Sequence, residues 1–74
     1  MTPRQASKII QAKLHELGLD YKTSAHTISF YDLARASCIF VRIHNWNPGK
    51  RGQHWEALEL VANRNDFCIE SHYD

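Results

Sequence analysis

Two cysteines among 74 residues are too few to staple a small domain with disulfides. No apolar run approaches the ~18 residues that a membrane-spanning helix needs. The opening residues, Met1-Thr2-Pro3-Arg4-Gln5, lack the apolar stretch and small-residue cleavage site of a secretory leader. A cytoplasmic location is therefore expected, with Cys38 and Cys68 as reduced thiols. There is no internal repeat, no low-complexity tract and no Gly-Lys-Ser/Thr sequence to cradle a phosphate. A chain this short buries only roughly 60% of its extended surface, enough for one domain and one core.

What is present is globular. The hydrophobic share is 43%, which separates the chain from disordered, charge-rich sequences. The net charge of +1 conceals a division along the chain. Residues 1–53 carry eight basic side chains against Glu16, Asp20 and Asp32, a balance of +5. Residues 54–74 carry Arg64 against Glu56, Glu59, Asp66, Glu70 and Asp74, a balance of −4. Such a chain either presents a basic face to a polyanion or brings its opposite charges together on folding. Composition does not choose between the two.

Thr2-Pro3-Arg4-Gln5 is a helix start, with Thr2 as cap, Pro3 in the first turn and Gln5 three residues on. Ala6, Ile9, Ile10, Leu14 and Leu17 then recur at helical spacing up to Gly18, which predicts a helix over 3–17. A β-rich stretch over 23–31 follows, in which Ile28 and Phe30 alternate with Thr27, Ser29 and Tyr31 as in a half-buried strand. Residues 32–36 break the alternation as a turn or a short helical excursion. The second strand, 37–46, places Ile39, Val41 and Ile43 on one face and Cys38, Phe40, Arg42, His44 and Trp46 on the other. Residues 47–52 form a Pro-Gly loop bearing Lys50 and Arg51. A second helix is predicted over 53–63, with Trp55, Leu58, Val61 and Ala62 inward, and a short strand over 67–70, with Phe67 and Ile69 inward and Cys68 and Glu70 outward. The fold class is α+β: a two-layer α-β-β-α-β domain, its three-stranded, mainly antiparallel sheet carrying both helices on one face. Ile10, Leu14, Phe30, Val41, Ile43, Trp55, Leu58 and Ile69 are the expected core.

The candidate site is the outer face of the second strand. Phe40, Arg42, His44 and Trp46, joined by Tyr31, interleave aromatic and basic groups. That is what stacking on bases and pairing with phosphates requires, and equally what a protein interface offers. Lys50 and Arg51, flanked by glycines before a helix, are a second candidate surface. Cys38, Cys68, His44 and His72 invite a metal, but no close ligand pair such as Cys-x-x-Cys anchors them, so no metal and no cofactor is expected.

Ser24-Ala25-His26, on a strand after a short helix, resembles the small toxin ribonucleases of double-stranded-RNA-binding-like fold. Their order is α-β-β-β-α, whereas here a helix precedes the last strand, and the basic, glycine-rich surroundings of their histidine are missing. With no partner acid or base visible in the sequence, His26 is taken as structural and no catalytic residue is assigned. The segments Lys8-Ile9-Ile10 to Leu17-Gly18, Thr27-Ile28-Ser29-Phe30 and Ser37-Cys38-Ile39-Phe40-Val41-Arg42-Ile43 to Trp46 resemble small accessory modules of phages and conjugative plasmids, the domains associated with large polyvalent proteins. Ala34-Arg35-Ala36 stands where a Gly-rich turn is expected in that group. The resemblance implies a mobile-element accessory factor, such as an inhibitor of a host defence complex, and assigns no site residue. The sequence thus leads to a non-enzymatic binding module with a protein partner, or a second copy of the chain, on Phe40, Arg42, His44, Trp46, Lys50 and Arg51. A nucleic-acid-binding domain using the same face is the alternative, and a small ribonuclease stands third.

Overall fold

The structure, a computed structural model, describes residues 1–30, 36–50 and 52–73. The expectations for the Phe30 side chain, for Tyr31, for the turn at 32–35 and for Arg51 lie outside the described residues. The elements run α1 (Pro3–Glu16), β1 (Thr23–Phe30), β2 (Ala36–His44), a single 3-10 turn (Pro48–Lys50), α2 (Gln53–Arg64) and β3 (Cys68–His72). No helix among the described residues is long and apolar enough to cross a membrane.

Both ends of α1 are fixed by local chemistry. The Thr2 hydroxyl accepts the Gln5 backbone N–H at 3.2 Å, and the Gln5 side chain accepts the Thr2 N–H at 2.8 Å. This reciprocal box satisfies two amides that the helix start would otherwise leave open. At the other end Gly18 takes a left-handed φ of 73°, which lets the Gly18 and Leu19 amides reach back to the His15 and Leu14 carbonyls. Helix α2 ends by the same hydrogen-bond pattern. Asp66, at φ 59°, stands in the glycine position, and the Phe67 amide donates to the Ala62 carbonyl at 3.1 Å. That turn drives the Phe67 ring into the core.

The sheet is mixed, in the order β1-β2-β3. β1 runs antiparallel to β2, and β3 runs parallel to it. The connection through α2 permits the parallel pair, because parallel neighbours need a crossover long enough to carry the chain back along the sheet. Both helices cover one face. Ile10 and Leu14 from α1 and Leu58 from α2 meet Val41 and Ile43 of the central strand, and all five are essentially without solvent exposure. Ile69 packs against this cluster from the edge. The hydroxyls of Ser7 and Thr23 share a hydrogen bond of 2.6 Å, and Gln11 donates to the Tyr21 carbonyl, so α1 is pinned to the start of β1 by polar contacts as well.

One expectation is corrected here. Ile28 was placed on the buried side of β1, yet it is 37% exposed. The register explains why. Directly opposed residues of a strand pair share a face, and Thr23, Ala25 and Thr27 stand opposite Ile43, Val41 and Ile39. Thr23 and Ala25 thus lie under α1, while Thr27 on the same face is exposed, and Ile28, opposite Cys38, takes the open face. Ala25 leaves room for a helix that a larger residue would push away.

Candidate functional site

The register of the sheet lays out the open face row by row. Ile28 stands opposite Cys38. In the next row His26, Phe40 and Cys68 lie side by side, followed by Ser24, Arg42 and Glu70, and then by His44 and His72. The rings of His26 and Phe40 stack at 5.9 Å with 16° between planes. Arg42 donates from Nε to Glu70 Oε1 at 3.1 Å, and His26 Nε2 approaches the same oxygen at 3.9 Å. On the other side of Arg42, the Ser24 hydroxyl and His44 Nε2 share a hydrogen bond of 2.8 Å, and the His44 ring meets His72 edge-on at 6.0 Å.

One ion pair bridges the charge division. Arg42 comes from the basic part of the chain and Glu70 from the acidic end, and on this face they neutralise each other. Both side chains remain over one-third exposed, so the pair adds about 0–1 kcal/mol to stability. Its effect is on what the face can bind.

Of the four strand residues expected to share one face, the structure brings Phe40, Arg42 and His44 together and separates Trp46 from them. Trp46 is 5% exposed and belongs to the core cluster. The cause is one residue earlier: Asn45 adopts a left-handed φ of 66°, which ends the two-residue alternation of the strand and turns the next side chain inward. There the Trp46 ring packs on Tyr21 at 4.8 Å and edge-on against Trp55 at 5.3 Å. Trp46 instead helps to form a second feature, an open cleft of about 320 Å³ at the end of the sheet where Lys50 also lies. Sequence spacing did not reveal this cleft, because its walls come from five separate segments. The one signal for it was Asn45 itself, since asparagine is among the few residues that readily take left-handed backbone.

Cys38 and Cys68 come close on neighbouring strands of the open face. His44 does not join them, being engaged with Ser24 and His72. Among the described residues no group of three or more histidine, cysteine or acidic side chains is arranged to hold a metal. Partial burial, first, and then the charge and hydrogen bonding of Cys38 push the Cys68 thiol above its ordinary value. The thiolate is the nucleophile, so this slows its alkylation. A Cys38→Ser variant is expected to react faster at Cys68 with iodoacetamide at about pH 8, because the contribution of the neighbouring thiol is gone. An unchanged rate would show that the two thiols do not sense each other.

In comparisons with known proteins, no family model, no curated protein and no solved structure matches the chain, so the site is interpreted from its own geometry.

Proposed function

We propose that this chain is a non-enzymatic binding module that docks a protein partner on the open face of its sheet. The observation that carries this is the Arg42–Glu70 pair beside Phe40 and Ile28. A surface built for phosphates offers cations to the strand it binds. Here the arginine at the centre is already matched by a carboxylate, and the groups around it are an exposed isoleucine, a half-buried phenylalanine and polar rings. An apolar patch beside a self-neutralised ion pair is the composition of a protein interface. The wider setting, an accessory factor of a phage or plasmid occupying a surface of a host defence complex, is supported by the sequence resemblance alone and belongs to the same proposal.

The test is a double variant, Ile28→Ser with Phe40→Ala. Both side chains lie on the open face, so the variant should keep the far-UV spectrum and most of the stability of the parent chain. It should lose the partner that the parent chain retains, measured with that partner purified. Retention of the partner by the folded variant would move the docking site elsewhere. Light scattering on the isolated chain settles the identity of the occupant: a dimer abolished by the same double variant would mean that the partner is a second copy.

A further inference from the structure

The cleft at the end of the sheet is a distinct site, independent of the docking face. It opens at the carboxyl ends of the parallel strands β2 and β3, the end at which open sheets with parallel strands commonly bind ligands. Tyr21, Trp46 and Tyr73 supply aromatic surface, and Asn45, Lys50 and His54 supply polar groups. At about 320 Å³ it falls at the lower end of small-molecule sites, roughly 300–1,000 Å³.

Its chemistry selects the ligand. No carboxylate is among the described residues that line it, whereas Lys50 supplies a cation and His54 an imidazole. The occupant that fits is therefore anionic. Tyr73 is 58% exposed at the rim, a large ring held out beside a cleft that already contains two others. The third observation concerns Trp46. No hydrogen bond among the described residues takes up its indole N–H, and no buried polar side-chain atom is left without a partner. That N–H therefore keeps some contact with solvent, and Trp46 is one of the residues that line the cleft. A nearly buried donor beside an aromatic cleft is open to an acceptor on a planar ligand.

We propose that the cleft binds a nucleoside monophosphate group, its base against Tyr73 and Tyr21 and its phosphate toward Lys50 and His54. The source is either a free nucleotide or the end of a single strand. The Trp46 N–H then donates to the base or sugar. The cleft has room for one such unit, so a strand would enter by its terminus and not run through.

The experiment follows the two indole N–H resonances of the intact chain by NMR during titration with adenosine and uridine 5′-monophosphates, a 5′-phosphorylated oligonucleotide and inorganic phosphate. Nucleotide should shift the Trp46 indole signal and leave that of Trp55, whose N–H is bonded to Glu59 at 2.9 Å, in place. Lys50→Gln should weaken binding about tenfold, the loss expected for a charge-assisted hydrogen bond. Tyr73→Ala should weaken it at least about fivefold through lost stacking. Both positions are exposed, and a melting curve confirms that each variant is folded. An oligonucleotide that binds about tenfold tighter than the mononucleotide assigns the strand end, and equal affinities assign the free nucleotide. The proposal is overturned by any of three results: no shift at roughly 10 mM nucleotide, affinity unchanged in both variants, or inorganic phosphate binding as tightly as nucleotide.

Discussion

Truncation of Trp46 to alanine is expected to destabilise the domain by about 3–5 kcal/mol, the range for removing a large aromatic from a packed core. At 5% exposure the ring is almost wholly withdrawn from water, and it bridges Tyr21 on one side and Trp55 on the other. Its loss would uncouple the end of β2 from the start of α2. A chain of this size has a total stability near the low end of the ~5–15 kcal/mol typical of domains, so the variant should keep at most about 2 kcal/mol and populate the unfolded state measurably at room temperature. Chemical denaturation checks this directly. A cost below about 1 kcal/mol is what an exposed tryptophan on the open face would give, and it would restore the placement that strand alternation suggests.

The second large effect is expected at Leu58, with Leu14 as its counterpart on the other helix. Leu58 has no exposure and Leu14 has 1%, and both belong to the core cluster that includes Val41 and Ile43 of the central strand. Removing either side chain to Cβ loses its transfer energy and leaves a cavity between helix and sheet, at a cost of about 2–5 kcal/mol. The two residues sit on different helices, so equal losses would show that one core joins both to the sheet. A large loss at Leu14 with a negligible one at Leu58 would mean that α2 packs only loosely, and with it the cleft that α2 walls.

Most of this architecture was legible because local rules and global packing agree. Thr2, Pro3, Gln5 and Gly18 mark the bounds of α1 by capping chemistry, and Ile10 and Leu14 mark its buried stripe. The alternation of Ile39, Val41 and Ile43 fixes the inward face of β2, and with it the outward placement of Phe40, Arg42 and His44. Two local exceptions defeated the same logic. Ile28 has the β-propensity and hydrophobicity of an inward residue, but a tertiary demand overrides them: α1 needs a small residue at Ala25, and parity then sends Ile28 outward. Trp46 follows a left-handed Asn45, and one such residue reverses the parity of everything after it. The Arg42–Glu70 pair joins residues 28 apart in sequence, through a parallel register that spacing along the chain does not encode. The extent of β3 was also understated, because Ser71 and His72 lack the apolar alternation that flags a strand, and this hid the contact between His72 and His44.

The most direct test of the docking proposal is the dependence of partner affinity on salt, measured on the intact chain by titration between roughly 50 and 500 mM sodium chloride. Burial of Phe40 and Ile28 against a protein is not screened by ions, and Arg42 is already paired, so the account predicts an affinity that changes by less than about tenfold over this range. A phosphate-bearing partner would behave otherwise, because every neutralised phosphate releases counterions and affinity falls as a power of salt concentration. A loss of about a thousandfold or more would identify a nucleic-acid surface and contradict the protein-docking account.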